Sequence, residues 1–281
     1  MIKQFYQYQK ERFPVAILTL TTSSVLYSTY IVLAKPGALW QWSLLLISAL
    51  SFLLHIRIID ENRDKDIDDA FHKDRPVQRG LISIKQLNTI GFINGSIFFL
   101  IHFYLDTLAG ILSFMLLLYS LLGRYDFFMS AKFKTRFWGY NIINTFQLIA
   151  LQLISYTVFV HPKLWTVQIF YHCAGVYFLS LLIEVGRKTF PISLESEAND
   201  SYSSRLGFKA AIGLCVALYL IATLSYFLSA QLYILPNILS VLLFVVISFK
   251  YINKQNVQMQ KIYLVGIILL YVTLNFSFHA W

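Results

Sequence analysis

In a chain of 281 residues, 57% apolar and only 13% charged side chains, with a mean hydropathy of +0.61, leave more hydrophobic surface than a water-soluble core can hide. The shortage of charge also excludes intrinsic disorder, a coiled coil and a nucleic-acid-binding domain, despite a formal net charge of +9. The composition is that of an integral membrane protein, so the basic excess needs a topological cause.

Residues 1–13 place Ile2, Phe5, Tyr6 and Phe13 among Lys3, Gln4, Lys10, Glu11 and Arg12. They are too polar for a signal peptide and predict a short helix lying in the membrane interface. A spanning helix needs about 20 mostly apolar residues. Nine such segments follow: 14–34, 39–59, 84–105, 107–122, 137–160, 164–185, 207–228, 232–249 and 262–278. Nothing else of domain size remains, which makes 1–281 a single domain. Cys173 and Cys215 fall inside predicted spans and read as structural apolar cysteines rather than a disulfide framework.

Cytoplasmic connections hold the Lys and Arg excess of a membrane protein. Here 21 of the 23 fall on one side: in the N-terminal segment and in the second-to-third, fourth-to-fifth, sixth-to-seventh and eighth-to-ninth connections. Only Lys35 and Lys163 fall on the other. The N-terminus is therefore expected in the cytoplasm and Trp281 outside, in an arrangement that suits a plasma (inner) membrane. The sequence pI of about 9.4 follows from this bias and not from a nucleic-acid footprint.

The acids are concentrated independently of that rule. Of fourteen, eleven occupy two cytoplasmic connections: Asp60, Glu61, Asp64, Asp66, Asp68, Asp69 and Asp74 in the first, and Glu184, Glu195, Glu197 and Asp200 in the second. If the second helix continues past Ile59, Asp60, Asp64 and Asp68 form a ladder, because four residues turn a helix by roughly 400°. Arg57 joins that face, whereas Asp66 and Asp69 point elsewhere, solvated or paired with Lys65 and Lys73. Like charges at this spacing destabilise a helix, so a counter-cation is expected. Mg2+ suits oxygen ligands and is held by one or two carboxylates together with phosphates. Arg75 and Arg79 carry the guanidinium forks that phosphates prefer, and Pro76 bends the chain after Arg75. The plainer reading is a solvated, salt-bridged helix end.

The second connection, 184–206, repeats the mixture of acids and bases. Glu184 stands at a helix end with Arg187 and Lys188 directly after it, and Glu195, Glu197 and Asp200 lie beyond Pro191. A third connection carries Arg124 and Asp126, the latter either an acceptor-side base or an acid paired with Arg124 in an exposed loop.

These residues resemble the UbiA superfamily of intramembrane prenyltransferases. The family's first motif has an Asn and two Asp spaced by four, then an Arg-Pro pair, a Gly and a Ser. Asp60, Asp64, Asp68, Arg75, Pro76, Gly80 and Ser83 occupy those places within 60–83. Asp60 replaces the usual Asn. The later pair of Asp has no clean counterpart, since Phe190 and Pro191 stand near where acids are expected, although the SYSSRLG run after Asp200 matches the family's continuation.

The resemblance implies an all-α membrane fold of about nine transmembrane helices in a ring around a central cavity open to the cytoplasm. It also implies Mg2+-dependent ionisation of an allylic prenyl diphosphate and transfer of the prenyl group to a lipophilic or aromatic acceptor within membrane lipid. Asp60, Asp64, Asp68, Glu184, Glu195, Glu197 and Asp200 would hold metal. The first three, with Glu184 and Asp200, would form the catalytic set. Arg57, Arg75, Arg79, Arg187 and Lys188 would meet the diphosphate. Abundant Tyr and Phe would offer ring faces to a carbocation. A membrane terpene cyclase using the diphosphate alone keeps the same ionisation. A transporter is the reading from another class, and acids at one membrane face rather than near its middle count against it. A reporter fused after Trp281 is expected on the non-cytoplasmic side; cytoplasmic reporter activity would overturn the count of nine spans.

Overall fold

The structure is a computed structural model that describes residues 2–34, 36–128, 136–195 and 200–279. Lys35, Glu197 and Trp281, named above, lie outside the described residues. The helices run in order as α1 (Ile2–Arg12), α2 (Val15–Val32), α3 (Leu39–Arg63), α4 (Lys65–Phe71), α5 (Ile84–Leu105), α6 (Thr107–Gly123), α7 (Arg136–Thr157), α8 (Val167–Arg187), α9 (Tyr202–Leu206), α10 (Phe208–Ser229), α11 (Ile234–Asn253) and α12 (Val257–Phe276). Among the described residues seven of them, α2, α3, α5, α8, α10, α11 and α12, are long and apolar enough to cross a membrane. α6 is shorter at 17 residues, and α7 covers the fifth expected segment. The chain is an all-α integral multi-pass membrane protein, with one two-residue antiparallel ribbon pairing β1 (Gln231–Leu232) with β2 (Phe278–His279).

The outer surface is rich in large apolar side chains, and polar groups share the mainly apolar interior. Phe92, Leu100, Leu224, Phe227 and Phe249 are exposed, while Ser24, Ser28, Thr29, Ser48, Ser113, His172 and Asn275 are buried. Lipid tails give helices no hydrophobic reason to associate, so small residues and interhelical hydrogen bonds hold them together instead. Cys173 and Cys215 are buried free thiols, as expected.

The chain divides into two compact units, the first comprising Met1–Ser23 and Gly37–Leu164. In it α3 packs along α5, α5 along α6 and α6 along α7. One core cluster gathers Phe52, Phe98, Ala109, Leu116 and Ile154. A second gathers Tyr8, Phe13, Leu54, Ile58, Ile82 and Leu87, and so ties the N-terminal helix to α3 and to the start of α5. His55 cross-links three helices: its Nδ1 lies 3.0 Å from the Gly91 carbonyl on α5 and its Nε2 lies 3.1 Å from Ser120 Oγ on α6.

The second unit comprises Ser24–Pro36 and Trp165–Trp281. Its α8 packs on α10 and α12, and α11 packs on α12. A buried polar cluster joins four of its segments. Ser28 Oγ bonds Asn275 Oδ1 at 2.8 Å and meets His172 Nε2 at 2.8 Å, and the Tyr226 hydroxyl donates to Asn275 Oδ1 at 2.9 Å. Gly175 permits a close helix contact, because a Cβ there would lie 2.0 Å from Tyr226 Cδ1.

Gly175→Val is therefore expected to lower thermal stability by about 1–3 kcal/mol through overpacking. Gly213→Ala, whose Cβ would meet nothing within 4 Å, should leave the melting temperature intact. Equal melting of the two variants in detergent would contradict the packing assigned to Gly175.

Candidate active site

The apolar run of α3 carries it four residues beyond the expected end at 59, so Asp60 and Glu61 are still helical. The expected unbroken ladder is not observed. α3 stops at Arg63, Asp64 adopts φ −83° and ψ 0°, and α4 begins at Lys65. The Asp64 N–H closes α3 on the Asp60 carbonyl at 2.9 Å, and the Asp68 N–H opens α4 on the Asp64 carbonyl at 2.8 Å. Asp64 is the junction at which one helix ends and the next begins.

The counter-cations anticipated for the ladder are arginines of the chain itself. Arg63 Nη1 lies 2.9 Å from Asp60 Oδ1, while its Nε and Nη2 each donate to an Asp64 carboxylate oxygen at 2.6 Å. Asp68 is buried and pairs with Arg75. Asp66 is exposed, and Asp69 pairs with Lys65 as expected. Among the described residues no three His, Cys, Asp or Glu side chains group as metal ligands. Two carboxylates suffice for Mg2+ when phosphate oxygens complete the shell. Asp60 and Asp64 fit that requirement, since both are oxygen donors already converging on one cationic group.

Arg57 was expected on the ladder face, but it turns onto Glu61, with Nη2 2.6 Å from Oε1. The Glu61 side chain is only 1% exposed, and one turn of helix separates the two residues. A buried carboxylate needs a partner at that distance more than the half-exposed Asp60 does. Arg12 of α1 reaches the same oxygen at 2.8 Å. Arg79, expected to face phosphate, bonds Glu11 of α1 at 2.7 Å and the Asp74 carbonyl at 2.9 Å. Sequence reasoning counted Glu61 among the acids of this connection without giving it a role, and missed Arg63, Glu11 and Arg12 as members of the cluster. A signal existed for Arg63, which stands three residues after Asp60 and one before Asp64.

The Gly and Ser that follow the Arg-Pro pair have local structural roles. Gly80 takes a left-handed φ of +76°, and the Leu81 N–H closes a turn onto the Pro76 carbonyl at 2.9 Å. Ser83 then caps α5, its Oγ accepting from Gln86 N–H at 3.2 Å while Gln86 Oε1 accepts from Ser83 N–H at 2.9 Å.

In the second unit, Glu184 on the last turn of α8 is clasped from two sides. Arg187 Nη2 lies 2.6 Å from its Oε2 and Lys188 Nζ lies 3.0 Å from its Oε1. The loop beyond is organised by serines. Ser203 Oγ accepts from Phe190 N–H at 2.7 Å, and Ser201 donates to Glu195 Oε2 at 2.6 Å and caps α9 through Ser204 N–H. The Tyr202 N–H bonds the Lys188 carbonyl at 2.9 Å. Burial, and then the negative charge of Glu184, push the Tyr202 phenol above its ordinary pKa, so it stays a neutral donor. Asp200 is half-buried at the start of this turn, and Glu197 lies outside the described residues.

Glu11 adds a pH dependence to the first unit. Its hydrogen bond from Arg79, and next one from Gln7, hold the carboxyl below its ordinary 4.5. A carboxylate with a lowered pKa contributes fully above its ordinary value and loses that contribution as pH falls through the lowered one. Hydrogen exchange of α1 amides is expected to quicken over that acid range in the wild type, and Glu11→Gln is expected to flatten the dependence. Equal acid loosening in both proteins would place the cause elsewhere.

No protein-family model matches the chain, and no curated protein sequence matches it either. Similarity appears at the level of solved structures. The apo structure of a UbiA homologue from Aeropyrum pernix K1 aligns with a TM-score of 0.67 at 14% identity, covering 90% of this chain and 94% of that one. A structure of digeranylgeranylglyceryl phosphate synthase aligns with a TM-score of 0.58 at 13% identity, covering 96% and 98%. A UbiA homologue from Archaeoglobus fulgidus bound to DMAPP and Mg2+ aligns with a TM-score of 0.56 at 14% identity, again covering 96% and 98%. The chain has the all-α membrane fold of UbiA homologues over nearly its whole length.

Proposed function

We propose that the chain is a magnesium-dependent intramembrane prenyltransferase, 1–281 acting as one functional domain, that ionises an allylic prenyl diphosphate and passes the prenyl group to a lipophilic or aromatic acceptor. The observation that carries this reading is the Asp60–Asp64–Asp68 run with its arginines, set at the end of a membrane helix in a fold shared with a homologue that binds DMAPP and Mg2+. The N-terminus faces the cytoplasm in this proposal, on the strength of the Lys and Arg bias.

Each residue set has a task in that reaction. Asp60 and Asp64 would hold the metal, which when bound neutralises charge on the departing diphosphate. Arg75 stays anchored by Asp68, so its remaining N–H groups are oriented before substrate arrives. Preorganised cations of this kind favour the transition state, where leaving-group charge is largest, over the ground state. In the second unit Glu184 keeps Arg187 and Lys188 pointed along the end of α8, and Glu195 and Asp200 lie in the loop that follows. We assign these to diphosphate and metal binding as well, with Glu197 as a further candidate.

The test is pyrophosphate release by the purified protein, supplied with allylic diphosphates of increasing chain length, with and without Mg2+ and with and without acceptor. Release that requires both Mg2+ and a lipid extract or a quinone-precursor aromatic is the expected result. A cyclised product from the diphosphate alone would replace transfer by cyclisation. Asp64→Ala and Asp68→Ala are expected to cut Mg2+-dependent release by about a hundredfold or more, the scale of losing one electrostatic contact to the transition state. Asp66→Ala, on the exposed face, should stay within a few-fold of wild type. Equal loss in all three would refute the assignment.

A further inference from the structure

We propose that Glu61 is a positioning residue for the first acidic loop: tied to Arg12 of α1, it fixes the direction in which the last turn of α3 presents Asp60 and Asp64, so that the N-terminal helix serves the magnesium ligands without touching the ion. The inference rests on the magnesium-dependent reading above and deepens it, because it names what aims the two carboxylates.

Leu54, Ile58 and Glu61 follow one another along a single stripe of α3, at helical spacing. The first two pack with Tyr8 and Phe13 of the N-terminal segment. Glu61 continues the stripe with a carboxylate where another apolar side chain would pack, and its side chain is only 1% exposed. A single oxygen, Oε1, accepts from both cations, Arg12 Nε at 2.8 Å and Arg57 Nη2 at 2.6 Å. Among the described residues, Glu61 Oε2 and Arg57 Nε have no hydrogen-bond partner. A buried ion pair so incompletely met is a poor source of stability, since apolar residues of similar volume often do as well or better. What it does supply is direction.

At roughly 100° of rotation per residue, Asp60 lies about 100° to one side of Glu61 and Asp64 about 60° to the same side. Turning Glu61 therefore turns both carboxylates together. Arg57 does not hold that angle, because it stands on the same helix one turn earlier and rotates with it. Arg12 does, because it reaches in from α1, 49 residues away in the chain. The tie also falls in the last turn of α3, beyond the apolar cluster and directly before the junction at Asp64, where helix ends fray. Arg12 and Glu61 thus stand to Asp60 and Asp64 as outer-shell partners stand to metal ligands, holding their orientation from behind.

The experiment pairs hydrogen exchange of the amides of residues 60–64 with calorimetric titration by Mg2+ alone, on the 281-residue protein in detergent and without prenyl diphosphate. Arg12→Gln is expected to quicken exchange in that turn and to weaken Mg2+ binding by about tenfold or more, the usual cost of losing an outer-shell partner. Charge alone predicts the opposite sign, because removing one cation near two carboxylates favours another. Glu61→Asp keeps the charge and shortens the reach, so it should weaken binding too, and it serves if Arg12→Gln does not fold. Arg12→Lys keeps the charge and a donor and should recover most of the affinity. Gly175→Val, destabilised in the second unit, should leave both readouts at wild-type values. Unchanged exchange in residues 60–64, or Mg2+ binding that is unchanged or tighter in Arg12→Gln and Glu61→Asp, would overturn the proposal and leave the magnesium reading standing. If no protein, wild type included, takes up Mg2+, the magnesium reading fails and the proposal with it.

Discussion

Seven acids crowd residues 60–74, directly after an apolar helix, and neither bulk water nor a hydrocarbon interior can absorb that much like charge at the end of a packed helix. The surrounding structure follows from where the balancing cations come from. Arg63 serves Asp60 and Asp64, Arg75 serves Asp68, Lys65 serves Asp69, and Arg12 with Arg57 serves Glu61. Supplying Arg75 obliges the chain to fold back after α4, which the turn through Pro76 and Gly80 accomplishes before Ser83 restarts a helix. Supplying Arg12 obliges the polar N-terminal helix to dock, which the burial of Tyr8 and Phe13 completes.

The membrane-embedded part answers a different constraint with the same economy of partners. Helices whose outer surfaces are already compatible with lipid gain specificity from what they hide, namely Ser48 against His102, His55 against Ser120, and the Ser28, His172, Tyr226 and Asn275 cluster. These contacts need well-defined helix spacings, and Gly175 beneath the Tyr226 ring shows how close some of those spacings are.

Much of this was readable from residue order, because helices in lipid must satisfy their own backbone and so announce themselves by length and composition. The segments around residues 39–59, 84–105 and 207–228 appear close to where apolar content placed them. The exposed position of Asp66 and the pairing of Asp69 with Lys65 followed from helical spacing. The choice of partner among Arg57, Arg63, Arg75 and Arg79 did not follow, since it depends on a change of a few tens of degrees in ψ at Asp64 and on the burial of Glu61. The second loop was hidden for a related reason. Its shape is set by Ser201 and Ser203, whose hydroxyls bond locally, and nothing in their spacing distinguishes them from the other serines of the sequence around them.

The docking of α1 bears on how the chain is made. Arg12 and Glu61 are 49 residues apart and Glu11 and Arg79 are 68 apart, so both ion-pair partners of the N-terminal helix are synthesised after it. Until Glu61 emerges, α1 is a basic, partly apolar segment with neither of those ion-pair partners, free to remain at the lipid headgroups. Its locking through Arg79 therefore marks completion of the first acidic loop, and the end of the chain that appears first waits for a later segment before it settles.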